Sequence, residues 1–192
     1  MTNIEQEQFK SDGEKGEERV ERQKKTLSKI GRSGLPFLIF GGWAGKIQGA
    51  YSADYYPRDI DIYINQKQLN DWQKFFETNN FSSQKEEDKI IFTDQETGAS
   101  IDAHLMQDTS DSYVEKVSHG TFRLPKEAFE TKEFEGSSIT VMRPELSYIF
   151  EERRAEGTGT KERLEKLGKT INKEVLEEIR EKFKYEKKVA KK

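Results

Sequence analysis

The sequence predicts an α+β fold, in which a mixed β-sheet is flanked by helices packed mainly on one face and is followed by a helical C-terminal extension. Two segments alternate apolar and polar residues with the period of two that strands have. Other segments space apolar residues at helical intervals, and the two kinds are mixed along the chain rather than strictly alternating. This mixture favours α+β over a regular α/β arrangement.

Composition limits the size of the core. The chain has 192 residues, of which 36% are charged and 32% hydrophobic, and its mean hydropathy is −0.96. Since an average globular chain is about 25% charged, we expect a single domain with one modest core. We predict a disordered N-terminus over residues 1–15, a domain over 16–156 and a helical extension with a basic tail over 157–192.

Charge and cysteine content exclude several classes of protein. Residues 161–192 carry a net charge of +5 and the rest of the chain −8, so the basic tail could contact a polyanion or simply be solvated. The sequence has no cysteine, which excludes disulfides, thiolate metal sites and cysteine nucleophiles. It also has neither an apolar run of about 18 residues nor the features of a signal peptide. We therefore expect a cytoplasmic protein that does not enter membranes.

The first predicted elements are a helix, a strand, a double glycine and a second helix. Val20, Leu27 and Ile30 are the apolar positions that would dock an otherwise polar helix from Gly16 to Ile30. The run Leu35–Phe40 is the first strongly apolar segment and predicts a short buried strand. Gly41 and Gly42 end that strand, and the helix of residues 43–50 can begin directly after this turn.

The next segment, Arg58–Ile64, predicts a half-buried strand. Ile60, Ile62 and Ile64 share one face, whereas Asp59, Asp61 and Tyr63 share the other. The remaining predicted elements are a helix over 66–79, a hairpin of 89–93 with 99–105, a strand over 138–142, a helix over 144–150 and a helix over 161–183. In the second arm of the hairpin, Asp102 and His104 share a face.

The carboxylates of these strands suggest a metal site. Asp59 and Asp61 project from one face about 6 to 7 Å apart along the strand, and such acids repel each other unless a cation lies between them. Asp102 could complete the cluster if its strand is a neighbour. Mg²⁺ prefers oxygen ligands and usually keeps positions for water and substrate phosphates, so three carboxylates leave room for a triphosphate. The Gly41-Gly42 turn would let the backbone approach such a ligand.

Three motifs in this order resemble the nucleotidyltransferase superfamily: Phe40-Gly-Gly-Trp-Ala44, Arg58-Asp-Ile-Asp-Ile62 and Ile101-Asp-Ala-His-Leu105. The sequence is most similar to the small aminoglycoside and lincosamide nucleotidyltransferases and to related stand-alone domains that include toxin–antitoxin components. The resemblance covers about residues 16–156. It implies a mixed sheet with flanking helices and a nucleoside triphosphate as substrate.

The resemblance also assigns roles to particular residues. Asp59 and Asp61 would hold two Mg²⁺ ions, and Asp102 would complete one metal site and serve as the base or help to position it. Gly41 and Gly42 would hold the triphosphate. From the residues themselves, two arginines are further candidates for nucleotide binding: Arg58 stands beside the aspartates, and Arg153 continues the apolar stripe of its helix where it could reach the phosphates. His104 stays open as a participant or a structural hydrogen-bonding group.

The implied reaction transfers a nucleoside monophosphate from a triphosphate to a hydroxyl of a small, antibiotic-like acceptor, with release of pyrophosphate. A nucleic acid or protein acceptor would use the same core, and a homodimer could complete the acceptor pocket. Asp-x-Asp phosphatases and nucleotide-sugar glycosyltransferases explain neither the double glycine nor Asp102. A catalytically silent domain that binds a protein or RNA is the remaining alternative, although three acids on one surface would then repel each other without purpose.

Overall fold

The chain folds around one mixed β-sheet, in a computed structural model that describes residues 3–51, 54–153 and 160–188, with side chains from residue 15 onward except at 160–163. The strands in these residues are β1 Phe37–Phe40, β2 Ile60–Asn65, β3 Phe81–Lys85, β4 Lys89–Asp94, β5 Ser100–Asp108, β6 Ser112–Val117, β7 Gly120–Pro125, β8 Phe129–Phe134, β9 Ser137–Met142 and β10 Lys184–Lys187. The helices are α1 Asn3–Gly31, α2 Gly41–Ile47, α3 Leu69–Thr78, α4 Pro144–Arg153, α5 Thr160–Leu167 and α6 Lys173–Lys182. The predicted α+β class is confirmed.

The strand order places the functional segments in the middle of the sheet. The order is β10-β7-β6-β5-β2-β1-β9-β8, and β4 pairs with both β3 and β5. Strand β2 is antiparallel to β1 and parallel to β5. On its other edge, β5 pairs with β4 along its first half and with β6 along its second. The two predicted carboxylate-bearing strands, β2 and β5, are therefore direct neighbours.

The core confirms the apolar face that the alternation of β2 predicts, since Ile60, Ile62 and Ile64 are each 0% exposed. Tyr63 on the opposite face is buried as well, so this part of the strand is buried on both faces and not half-buried as predicted. Trp43 of α2 and Trp72 of α3 are also buried in this core. The apolar side chains that define the strand in the sequence therefore also hold it in register.

Helix α1 begins at Asn3 in the structure. The disordered N-terminus that the sequence predicts over residues 1–15 stays a prediction. Glu, Gln and Lys make up most of residues 3–15, and these good helix formers extend a helix whose later turns are anchored. The anchors are the predicted ones, since Val20, Leu27 and Ile30 are all buried. No helix in the described parts of the chain is long and apolar enough to cross a membrane.

The C-terminal segment differs from the single helix predicted over residues 161–183. Helix α5 ends at Leu167, and α6 begins only after Asn172, whose side chain accepts hydrogen bonds from the first N–H groups of α6. Strand β10 then pairs antiparallel with β7 at the edge of the sheet. The extension therefore adds a strand as well as helices, while residues 189–192 of the basic tail lie outside the described residues. The boundaries of the predicted domain stay a prediction.

Candidate active site

Three aspartates meet where β2 and β5 lie side by side. Asp61 of β2 is the register partner of Asp102 of β5, and Asp59 comes directly before β2. One carboxylate oxygen from each of the three lies within 4.8 Å of the other two. The sequence predicted that Asp102 could join Asp59 and Asp61 if its strand were a neighbour of theirs, and in the structure β5 does lie beside β2. We call these three residues the aspartate triad.

Burial and the charges of neighbouring carboxylates act on the protonation of Asp59 and Asp61. Burial, together with the charges of Asp59 and Asp102, raises the pKa of Asp61 to about 7. Burial, followed by the charge of Asp102, also raises the pKa of Asp59. Lys89 of β4 forms an ion pair with Asp102, and this contact raises the pKa of Lys89. Lys89 also lies 3.7 Å from the carboxylate of Glu86, so two carboxylates share this ammonium group.

The glycine turn at the end of β1 lies against the triad. Gly41 has a φ of 63°, and a Cβ atom at this position would overlap Oδ2 of Asp61. Both the conformation and the close approach therefore require glycine. At Gly42 a Cβ atom would lie 2.9 Å from the hydroxyl oxygen of Tyr55 and 3.2 Å from Cβ of Pro57. The backbone of the turn thus borders the carboxylate of Asp61 without an intervening side chain.

Helix α1 fixes the segment that leads into the triad. The buried side chain of Gln23 donates to the carbonyl oxygen of Arg58 at 2.9 Å and accepts from Nε1 of Trp43 at 3.0 Å. Arg19 donates from Nε to the carbonyl oxygen of Pro57 at 3.0 Å. These bonds tie α1 both to the helix that follows the glycine turn and to the residue before Asp59. Nothing in the sequence marked Gln23, because a glutamine in a polar helix is usually solvated.

A hydrogen-bonded group lies next to the triad on the same face of the sheet. Tyr63 follows Asp61 by two residues, and His104 follows Asp102 by two. Both contact Glu115 of β6: the Tyr63 hydroxyl donates to Oε2 at 3.0 Å, and Nδ1 of His104 lies 2.7 Å from Oε1. Glu115 is only 4% exposed. Burial raises the pKa of Tyr63 well above its usual value, and the charge of Glu115 raises this pKa further. Sequence reasoning missed Glu115, since an isolated glutamate resembles a surface residue.

The triad opens into a cleft of about 1160 Å³ that extends to both sides of it along the sheet. Toward β1, the cleft is lined by the glycine turn and by Tyr51, Tyr55 and Tyr56. Toward β6, β7 and β10, it is lined by Glu115, Phe122 and Tyr185 from the sheet and by Phe150 and other residues of α4. The cleft therefore has two differently lined parts that adjoin at the triad.

The predicted site residues converge on this cleft. Those that line it are Asp59, Asp61, Gly41, Gly42, Arg58 and Arg153. Asp102 completes the triad from a buried position, with 7% exposure. Arg58 is exposed, and the guanidinium carbon of Arg153 lies 4.8 Å from the ring centre of Phe183. His104, which the sequence predicts on the same face of its strand as Asp102, also lines the cleft.

A comparison with known protein families matches the part of the chain that contains this site. The family model for aminoglycoside-2''-adenylyltransferase matches residues 23–167, which include the glycine turn and all three aspartates. No curated protein sequence matches the chain.

Solved structures of similar fold have low sequence identity. The lincosamide antibiotic adenylyltransferase LnuA, with lincomycin bound, is 14% identical with a TM-score of 0.62, covering 79% of this chain and 97% of its own. ANT(2'')-Ia in complex with adenylyl-2''-tobramycin is 14% identical with a TM-score of 0.60, covering 83% and 95%. A solution structure of ANT(2'')-Ia is 15% identical with a TM-score of 0.61, covering 83% and 89%. These likenesses support the fold of the chain, and the match extends over nearly the whole of each neighbour.

Proposed function

The chain belongs to the aminoglycoside-2''-adenylyltransferase family and is a nucleotidyltransferase, and we propose that it moves a nucleoside monophosphate from a triphosphate to a hydroxyl group of a small, antibiotic-like acceptor. The observation that carries this proposal is the aspartate triad on two neighbouring parallel strands, with the glycine turn against it. A protein that only bound a partner would have no use for three carboxylates held this close together.

The donor set of the triad suits magnesium. Carboxylate oxygens are the ligands that Mg²⁺ prefers, and three of them lie within the separation that shared ions require. Asp59 and Asp61 would hold two ions, and Asp102 would complete one of the two sites. When bound, Mg²⁺ would neutralise charge on the triphosphate and lower the pKa of the attacking hydroxyl.

The residues of the chain have separate roles in a single displacement at the α-phosphorus of the triphosphate. The acceptor oxygen forms a bond to the α-phosphorus while the bond from that phosphorus to the pyrophosphate oxygen breaks, and pyrophosphate leaves. Asp102 takes the proton of the acceptor hydroxyl or orients the group that does. The backbone of Gly41 and Gly42 borders the triphosphate, since no side chain keeps a ligand away from it.

Positive side chains support the charge that moves to the leaving group. Arg58 and Arg153 both line the cleft and are our candidates for binding the phosphate oxygens. Lys89 forms an ion pair with Asp102, so a bound cation would have to share the carboxylate of Asp102 with the ammonium group of Lys89.

Small hydroxylated molecules are the acceptor class that we propose. One structural neighbour is described with lincomycin bound and another with adenylyl-2''-tobramycin. The cleft of about 1160 Å³ is large enough for a nucleotide and a molecule of that size together. The part of the cleft toward β7 lies on the far side of the triad from the glycine turn, where an acceptor hydroxyl would face the α-phosphate.

Pyrophosphate release tests the proposal. The wild-type chain is incubated with Mg²⁺, each of the four common nucleoside triphosphates, and either lincomycin or tobramycin. We expect pyrophosphate to form only when an acceptor is present, and we expect the Asp59→Asn/Asp61→Asn double variant to release none. Asp71→Asn, which changes an exposed aspartate of α3, is the matched control and should act like wild type. Absence of nucleotide binding to the wild type in the presence of Mg²⁺ would refute the proposal.

A further inference from the structure

Aromatic side chains form one wall of the cleft beyond the triad. Phe122 of β7 and Tyr185 of β10 stack with ring centres 4.7 Å apart and an angle of 26° between the ring planes. Phe150 of α4 stands edge-on to Phe122 at 5.6 Å. All three rings line the cleft, and we call Phe122, Tyr185 and Phe150 the aromatic wall.

The chain holds Tyr185 firmly in this wall. Its hydroxyl donates to the carbonyl oxygen of His119 at 3.1 Å, and its ring lies across Gly120. A Cβ atom at residue 120 would come within 2.5 Å of Cε2 of Tyr185 and 2.7 Å of the carbonyl oxygen of Glu186. A glycine at this position therefore permits β10 to lie close to β7 and the tyrosine ring to contact the backbone of the neighbouring strand.

The aromatic wall depends on a segment beyond the family match. The family model ends at residue 167, whereas β10 spans Lys184–Lys187. This strand supplies Tyr185 from the same chain, at the part of the cleft that lies past the triad from the glycine turn. A residue that the family model does not cover is thus built into the region where the acceptor would bind.

Two carboxylates in this part of the cleft, those of Glu115 and Asp88, are already engaged within the protein. Glu115 accepts the Tyr63 hydroxyl on one oxygen and contacts His104 with the other. Asp88 accepts both the backbone N–H and the hydroxyl of Ser118, at 2.7 and 2.8 Å. Glu151 of α4 is only 7% exposed. A ligand with many ammonium groups would have to compete with these internal partners for each carboxylate.

We propose, resting on the function proposed above, that the stacked pair Phe122–Tyr185 binds a ring face of the acceptor and selects its class. Flat aromatic rings favour the apolar face of a sugar or another saturated ring, which loses little by leaving water there. The matching acceptor is a hydroxylated molecule with an apolar ring surface and few positive charges. A polycationic acceptor gains less, because the carboxylates are engaged and Arg153 lines the same cleft.

Two probes and three variants test this assignment. Lincomycin represents an acceptor with a single basic amine and apolar surface, and tobramycin represents one with several amino groups. Tyr185→Leu keeps apolar bulk but removes the ring, and Tyr185→Phe keeps the ring but removes the hydroxyl. Tyr113→Leu is the control, because Tyr113 packs edge-on against Phe129 at 5.2 Å and does not line the cleft.

We expect Tyr185→Leu to raise the KM for lincomycin about tenfold with little change in kcat, which is the effect of losing one aromatic contact. Tyr185→Phe should stay within about threefold of wild type, and Tyr113→Leu should match wild type. The dissociation constant of the Mg-nucleotide should be the same in all variants, since the glycine side of the cleft is unchanged. Wild type should use lincomycin at least about tenfold more efficiently, in kcat/KM, than tobramycin.

Each other result contradicts a defined part of the argument. An unchanged KM in Tyr185→Leu, or a preference for tobramycin, overturns the assignment of the wall. If the wild type binds Mg-nucleotide but binds neither antibiotic by calorimetry, the acceptor class is wrong while the transferase function stands. If lincomycin binds and Tyr185→Leu weakens it, yet no nucleotide binds, the wall is supported and the proposed reaction fails.

Discussion

Ionisation of the partly buried Asp61 carboxylate contributes unfavourably to the stability of the metal-free protein at neutral pH, compared with acidic pH. Its pKa rises from 3.8 to about 7 in the fold, mainly through burial. One pKa unit corresponds to about 1.4 kcal/mol, so the shift of about three units is equivalent to roughly 4 kcal/mol. Because this pKa is higher in the folded state, the contribution to stability is fully present below about pH 4. It is lost as the pH rises to about 7, where the folded protein must also release the proton.

Replacing Asp61 with asparagine should therefore stabilise the protein in a pH-dependent way. In the presence of a chelator, we expect Asp61→Asn to raise the free energy of unfolding by up to about 4 kcal/mol at pH 8, and by much less at pH 4.5. Urea denaturation at the two pH values, followed by circular dichroism, measures this difference directly. Asp71→Asn, on the exposed surface of α3, is the control and should change stability by less than about 0.5 kcal/mol at either pH.

The reasoning fails in two recognisable ways. If Asp61→Asn is no more stable than wild type at pH 8, burial does not penalise this carboxylate. If the gain in stability is the same at pH 4.5 and pH 8, it comes from packing or hydrogen bonding of the amide and not from the removal of a charge.

Three further predictions concern the surroundings of the triad. Gly41→Ala should abolish Mg-nucleotide binding and destabilise the fold, because the new Cβ atom would overlap the side chain of Asp61. Gly49→Ala is the control: residue 49 also has a positive φ but has open space around it, so this variant should cost about 1 kcal/mol of stability and leave nucleotide affinity unchanged. Calorimetry measures the affinity and urea denaturation the stability. Gln23→Leu removes one buried and one partly buried hydrogen bond and should cost roughly 2 to 3 kcal/mol of stability by urea denaturation. A loss below about 0.5 kcal/mol would contradict the role of Gln23 in holding α1 to the site. Lys89→Met should strengthen Mg²⁺ binding about tenfold by calorimetry, because Asp102 then has no ammonium group to release, and weaker binding would mean that Lys89 supports the cation site.

Much of the site could be predicted because its residues lie on elements with clear local patterns. Asp59 and Asp61 belong to a segment whose isoleucines define a strand, and Asp102 belongs to a second alternating segment. The double glycine directly after an apolar run marked the junction of β1 and α2, and the two glycines are the first residues of α2. Each of these signals is contained within about seven residues, so none depends on where the rest of the chain goes.

The missed residues depend on contacts between distant parts of the chain. Glu115 is buried because Tyr63 and His104 reach it from two other strands, and its own neighbours give no sign of this. Strand β10 reads Lys-Tyr-Glu-Lys, which continues the charged pattern of the preceding helix, and only its pairing with β7 makes it a strand.

The geometry of the triad depends on the register of β2 against β5. A shift of one residue between β2 and β5 would turn Asp61 away from Asp102, and it would also turn Ile60, Ile62 and Ile64 out of the core. These isoleucines are 0% exposed, and exposing each would cost about 1.5 to 3 kcal/mol. The cost of ionising Asp61 in the fold, which comes mainly from burial and to a smaller extent from repulsion by Asp59 and Asp102, is roughly 4 kcal/mol and is smaller than the sum of these costs. The apolar face of the strand can thus hold three acids together without a cation, ready to bind one.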